Sequence, residues 1–464
     1  MRSSYAPLLK TILLLTGIFL LFSGNGYAQS GRSTGQSFER FIGQYQNTDP
    51  ADLASNTLYQ LAEAYEETMR FDRAIDLYRI AYERNPEQIY LLNDMARAAT
   101  KAGLTNEAVS FLEEAVAADE SDHYLRYKLA EAYHTAGNYA NGSDACNDLL
   151  DRGYNTPQVW LLMGQCSQGL GISEAALIQY AEACRQSPRN RMAALKYLNL
   201  LLAQRGVDQE YIDQGFVICD SILRYNRSDL DIRLAKGLLH YRSNDFQSAE
   251  FIFTELLERG DSLPSVIRYG GLSRVETGRN LEAQPLLELT YERDTTDYNI
   301  LMALGRSNAT MGRRREAEKY LDKAEETLLQ EDRHYSIEIA RGNLYVQIRE
   351  WEKAMRHYYT AYSQYNDQNV SLLTLSHRAS LNVENGGDIS RFLVYTYVRR
   401  CFETGHSITG REYYRTELQK MIENAFFEGK ETLPLRAPDG RTSTVTVERL
   451  RELVQKLEEP ASST

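Results

Sequence analysis

The sequence predicts an all-α fold, a superhelical solenoid of about nine to ten helix-turn-helix repeats with a small C-terminal helix and β-hairpin cap. Three observations carry that expectation. Mostly small residues recur at a period of 34: Ala62, Ala96, Ala130 and Gly164 in one register, Ala74, Ala108, Gly142 and Ala176 in a second, Ala81, Ala115, Leu149 and Ala183 in a third. Apolar residues inside each unit keep helical spacing, as in Leu58, Leu61, Ala62 and Tyr65, the signature of one buried helix face. The breaks between stripes hold Gly103, Gly137 and Gly171, where the end of a helix favours glycine. A fixed period of this length means stacked supersecondary units, because one unit alone cannot bury its apolar face.

The elements follow in chain order. Arg2 and Lys10 precede an apolar run from Thr11 to Phe22, and Gly26 and Ala28 hold small-x-small positions. That pattern reads as a secretory signal peptide over residues 1–28, and the run is short of the roughly 20 residues a membrane span needs. Residues 29–50 are polar and rich in Gly and Ser, and read as a flexible leader. Residues 51–405 carry the repeats. The fifth repeat holds about five extra residues around Arg205–Gln209, as judged from the register of its neighbours. The unit over 369–405 is degenerate, with Asn385-Gly386-Gly387 as its turn. Residues 406–464 read as a cap: a helix over 409–428, a hairpin over 433–447 around Pro438-Asp439-Gly440, and a final helix over 448–458. Such a cap suits the exposed apolar end of a repeat array.

Composition excludes several functions. The chain is 43% hydrophobic and 25% charged, which suits a folded core. Its net charge of −12 comes with no cationic cluster, so nucleic acid is not an expected partner. Zinc-protease, nucleophile-elbow, P-loop and CxxC motifs are all missing, and the seven histidines are scattered. The expectation is therefore a protein that is not an enzyme, with no catalytic residue, cofactor or metal. The five cysteines fit no disulfide framework; they read as buried thiols, with a Cys146–Cys166 bond as a hypothesis should neighbouring helices bring them together.

The set Trp160, Met163-Gly164, Ala176, Tyr180, Ala183 and Pro188 resembles the tetratricopeptide repeat, with Ser167 where that family usually has Tyr. The resemblance covers roughly residues 50–405 and is of the exported bacterial type. It implies a right-handed superhelix whose concave face, lined by the first helix of each repeat, holds a peptide or partner helix. Carried over by position, that face is Tyr59, Glu63, Tyr90, Asn93, Arg97, Tyr124, Tyr127, Glu131 and His134 in the first three repeats. In the middle repeats it is Met192, Leu195, Leu202, Leu234, Leu238, Tyr241, Leu272 and Val275. This second set is an apolar stripe, covered either by a partner helix or by the protein itself. Alanine at Tyr127 or Arg97 is expected to weaken ligand binding and leave the fold intact. The Lys/Asn/Arg clamp of some cytoplasmic family members is not matched, since Lys196 and Asn199 alone do not make it.

The expected function is an exported protein–protein interaction scaffold, periplasmic or secreted, that binds polypeptide segments or partner subunits in its groove. The alternative is a structural subunit of a cell-envelope machine for secretion, assembly or polysaccharide export. In either case no integral membrane segment is expected after signal removal, and association with an envelope complex would be peripheral.

Overall fold

The computed structural model describes residues 37–328, 335–365, 369–384 and 386–459 of the chain. The signal peptide expected over residues 1–28 lies outside them, as does Asn385. The helices come in consecutive pairs: α1 (Ser55–Glu67) with α2 (Phe71–Arg84), α3 (Tyr90–Lys101) with α4 (Thr105–Ala118), and α5 (His123–Thr135) with α6 (Tyr139–Asp151). α7 (Pro157–Gly169) pairs with α8 (Ser173–Gln186), and α9 (Arg191–Ala203) with α10 (Gln209–Tyr225). Then follow α11 (Leu230–Arg242) with α12 (Phe246–Glu258), α13 (Pro264–Glu276) with α14 (Asn280–Arg293), α15 (Tyr298–Thr310) with α16 (Arg314–Glu326), and α17 (Tyr335–Gln347) with α18 (Trp351–Thr360). The last pair is α19 (Ser371–Ser380) and α20 (Gly387–Thr404), followed by α21 (Arg411–Phe427). Strands β1 (Thr432–Arg436) and β2 (Thr442–Thr446) form an antiparallel hairpin with Leu433 opposite Val445, and α22 (Val447–Glu458) follows directly.

The turn inside most pairs repeats one geometry, with α9–α10 and α19–α20 as exceptions. Its left-handed residue is Gly103, Gly137 or Gly171 at φ +76° to +79°, and at the same register Met69 takes φ +60°. The next amide reaches back five residues: Arg70 N to Tyr65 O and Leu104 N to Ala99 O, both 2.8 Å. This is the Schellman closure, which satisfies carbonyls left over at a helix end. A left-handed conformation costs a residue with a side chain about 1–2 kcal/mol. Met69→Gly therefore relieves strain, offset in part by the greater freedom of unfolded glycine. The expected result is a gain of about 0.5–1 kcal/mol in urea denaturation. A loss of stability would contradict this account of the turn.

Packing inside a pair explains the small residues. A Cβ on Gly164 would stand 2.5 Å from the Tyr180 ring, and one on Gly342 2.6 Å from the Tyr358 ring. The same offset joins Gly305 to Leu321 at 2.6 Å and Gly237 to Phe253 at 3.1 Å. The first helix thus supplies a gap and the second fills it with a large side chain. Tyr180 and Phe253 are fully buried as a result.

The chain divides into two compact units, residues 1–232 and 233–464, where the repeat pattern reads as one array. The division falls just after the irregular fifth repeat. There α9 and α11 start at Arg191 and Leu230, five residues beyond one period, and α9 packs on α10 less extensively than α7 does on α8.

Two expectations are corrected. The leader over 29–50 is not all flexible: residues 37–45 are helical and Ile42 is buried. Phe38, Phe41 and Tyr45 pack beside it on the core of the first repeats, and Glu39 pairs with Arg70 at 2.8 Å. Its apolar residues keep helical spacing, so burial outweighs the polar composition. The Cys146–Cys166 bond is the second, because all five cysteines are free and buried. Burial pushes the thiols up, to about 12 for Cys146 and Cys184 and about 11 for Cys166.

At the C-terminal end, Leu433, Leu435 and Val445 of the hairpin share one buried cluster with Leu450, Leu453 and Leu457 of α22. The same cluster holds Tyr358, Leu393 and Val398 of the last repeats. The hairpin and α22 therefore cover apolar side chains of the helices before them.

Candidate protein-binding cleft

In the N-terminal unit the first helices of three consecutive repeats, α3, α5 and α7, border a cleft of about 520 Å³. These helices pack on α4, α6 and α8, and polar positions beside their apolar stripes supply most of the lining. Asn93, Arg97 and Lys101 come from α3, and Tyr124, Lys128, Glu131 and His134 from α5; Leu162 and Gln165 come from α7. Five residues of the expected face are thus brought together: Asn93, Arg97, Tyr124, Glu131 and His134.

The charges around this cleft are largely paired inside the protein. Glu66 is 4% exposed. Arg97 grips it with two hydrogen bonds of 2.9 Å, and Lys101 Nζ stands 2.9 Å from Oε1. Tyr78 donates its hydroxyl to Glu66 at 3.2 Å, and the third arm of Arg97 reaches Asp94 at 2.6 Å. Lys128 pairs with Glu131 at 2.8 Å and lies 5.5 Å from the Tyr124 ring centre. Burial and the nearby Lys196 ammonium push the His134 imidazole below its ordinary range.

Burial alone would raise the Glu66 carboxyl, but Arg97 and Lys101 outweigh it and hold the group down to about 2. Burial pushes Asp94 the other way, only partly offset by Arg97. A depressed carboxyl stabilises the fold fully above its unfolded value, here 4.5, and loses that contribution as pH falls toward 2. At roughly 1.4 kcal/mol per pKa unit, the Glu66 contribution is on the order of 3 kcal/mol. Asp94 offsets part of it, since protonation favours its folded form. The urea midpoint of the N-terminal unit should fall between pH 5 and pH 2.5, and an Arg97→Ala variant should lose most of that slope. An equal slope in both proteins would refute the assignment.

The other expected residues lie elsewhere. Tyr59 packs against Tyr78 with ring centres 5.7 Å apart, and Glu63 is exposed on α1; neither lines the cleft. Tyr90 is exposed, hydrogen-bonds Asp122 and stands 6.4 Å from Tyr124. Tyr127 is half-buried against the cluster that holds Ala130, Cys146 and Leu162, and burial and Glu131 push its phenol well above the usual range. Alanine at Tyr127 would open a cavity, and alanine at Arg97 would strand Glu66. The expectation that both changes spare the fold is therefore corrected.

The apolar stripe of the middle repeats is mostly covered. In the C-terminal unit Leu234, Leu238 and Tyr241 are half-buried beside Phe253 and Val266, and Leu272 and Val275 are buried. The cause is direct packing of consecutive first helices: α13 meets α15, and α15 meets α17. In the N-terminal unit Leu195 and Leu202 are half-buried and Met192 is exposed.

Sequence reading missed Glu66, Asp94, Lys101, Lys128, Leu162 and Gln165. Two of them had a signal. Gln165 continues the register of Arg97 and Glu131 by one more period, and Glu66 precedes Thr100 and His134 at the same spacing. Among the described residues no helix is long and apolar enough to cross a membrane, and no three His, Cys, Asp or Glu side chains converge as metal ligands.

Comparison with known proteins gives two results. The tetratricopeptide repeat family model matches residues 99–166, from the end of α3 into α7. Solved structures are similar at low identity. A tetratricopeptide repeat protein from Parabacteroides merdae ATCC 43184 is 15% identical over 56% of this chain and 99% of its own, with a TM-score of 0.37. Yeast Tom70 is 12% identical over 87% of this chain and 98% of its own, with a TM-score of 0.34. A thermophilic protein of the same repeat class from Thermus thermophilus is 20% identical over 40% of this chain and 99% of its own, with a TM-score of 0.30. No curated protein matches the chain.

Proposed function

We propose that this tetratricopeptide repeat protein is an interaction scaffold that holds an extended polypeptide segment in the cleft of α3, α5 and α7. One observation supports this reading above the others. The charged groups of the cleft are committed to one another, whereas the amides of Asn93 and Gln165 make no hydrogen bond among the described residues. A side-chain amide donates and accepts at once, as does a peptide group. Tyr124 adds a broad face at low entropic cost. Such a lining suits recognition of main chain more than of charge.

The pattern of residues 1–28 supports an exported scaffold that works in the periplasm or outside the cell. Peripheral attachment to an envelope complex would follow if the bound segment belongs to a membrane-anchored protein.

The test is photo-crosslinking in cells, with the reactive residue at Tyr124 or Gln165 and a control at Ser110 on the exposed side of α4. A discrete adduct from the two cleft positions alone is expected, and mass spectrometry of it would identify the segment. The double change Asn93→Ala and Gln165→Ala should weaken binding of that segment about tenfold, as expected for the loss of two hydrogen bonds, with the melting temperature unchanged. Equal adducts from all three positions would refute the cleft as the site.

A further inference from the structure

The C-terminal unit holds a second pocket, of about 690 Å³, among α19, α20, the α20–α21 connection and α21. We propose that it binds an organic monoanion, a carboxylate carried on an aromatic or apolar body. The proposal is independent of the cleft in the N-terminal unit.

The first argument is charge. The chain is acidic overall, yet no Asp or Glu lines this pocket, while Arg378 and His406 do. Arg391, Arg399, Arg400 and Arg415 on the neighbouring helices are each paired with a carboxylate. Arg378 is exposed, and no carboxylate among the described residues pairs with it. A guanidinium left free at a pocket wall offers a planar fork for two parallel hydrogen bonds to a carboxylate.

The second argument is the polar surround. Ser371, Thr374, Thr409 and Tyr413 line the same space, and the Thr409 hydroxyl is bound to no other group among the described residues. α21 opens on it with Gly410 as its N-cap, and no side chain caps that helix. Its first-turn amides and dipole add positive partial charge there. The Tyr413 hydroxyl is held 3.0 Å from Nε2 of the buried His377, whose Nδ1 lies 3.3 Å from Ser390 Oγ. This wall is therefore positioned in advance of any ligand.

The third argument is the match of size and charge. Arg378 is the one permanent cation of the lining, which suits a single negative charge; a doubly charged phosphate calls for more. Val370, Leu381, Tyr397 and Tyr414 also line the pocket, and their apolar surface would hold the body of the ligand. Two sources share this chemistry: a free organic acid, and the C-terminal residue of a polypeptide.

The experiment is calorimetric titration of the full chain with N-acetyl-tyrosine, its methyl ester, and a pentapeptide ending in tyrosine as the free acid or the amide. Both acids should bind, and the ester and the amide should bind at least about tenfold more weakly, the loss of a charge-assisted pair. Arg378→Gln should lose the same factor with an unchanged melting temperature. A peptide acid that binds more tightly than N-acetyl-tyrosine points to a chain terminus; equal affinities point to a free acid. Either result supports the proposal. It is overturned if neither acid binds at millimolar concentration, if ester and acid bind equally, if Arg378→Gln binds as well as the parent, or if inorganic phosphate displaces the acid at equal concentration. The acid–ester comparison uses the unaltered protein, so it decides the question even if the variant fails to fold.

Discussion

Arg97→Ala should destabilise the N-terminal unit by about 3 kcal/mol, the low end of the cost of breaking a buried ion pair. Glu66 lies almost wholly out of water, and Arg97 supplies two of its hydrogen bonds. Without the guanidinium, Lys101 and the Tyr78 hydroxyl are the partners left to the carboxylate. Lys101 is a flexible, half-exposed point charge that cannot reproduce a two-pronged grip, and its presence keeps the loss near the lower bound. The companion variant separates charge from packing: Glu66→Gln removes the stranded charge, so Arg97→Ala with Glu66→Gln should recover more than half of the loss. The measurement is urea denaturation followed by helix content. A midpoint that does not move in Arg97→Ala would show that this side chain serves the cleft alone.

Gly164→Ala should destabilise by about 2 kcal/mol, although alanine normally gains about 1 kcal/mol over glycine within a helix. The new Cβ would sit 2.5 Å from Cε1 and 2.6 Å from Cδ1 of Tyr180. That ring is fully buried, and its hydroxyl donates to Gln168 at 2.8 Å, so it cannot retreat without breaking a bond. Shortening the ring should relieve the clash, and Gly164→Ala with Tyr180→Leu is expected to be more stable than the sum of the two single changes implies. Gly342→Ala should behave alike, because Tyr358 is also buried and donates to Asn343 at 2.6 Å. Gly305→Ala should cost less, since the Leu321 side chain it meets at Cδ2 and Cγ is held by no hydrogen bond. Thermal unfolding decides the matter; a stabilised Gly164→Ala would mean that α7 and α8 do not approach as described.

The helical pairs and their turns were legible because their causes lie within one period. The gap at Gly164 and the ring at Tyr180 are on adjacent helices of one pair, and Gly171 marks the reversal between them. The helix over 37–45 escaped notice because its four apolar residues sit in a polar, glycine-rich stretch, and burial on the next repeats decides its state. The cleft was half legible. Its register positions follow from the period, which is how Asn93, Arg97, Tyr124, Glu131 and His134 were found.

What each of those residues is free to do does not follow from the period. Arg97 and Asn93 share one helix face, yet Arg97 is bound to Glu66 of the preceding repeat while the Asn93 amide stays uncommitted. That difference depends on how far one repeat is staggered against the next, a matter of a few ångströms between side chains 31 positions apart. The same holds for Leu272 and Val275, whose register is that of an open face and whose burial comes from the close approach of α13 and α15. The repeat and the helix pairs are therefore written in local spacing, where each signal needs only its own neighbours. Which charges are spent on the fold, which apolar positions are covered, and that Arg378 is left beside an acid-free pocket are outcomes of tertiary packing, because each depends on partners that no single repeat contains.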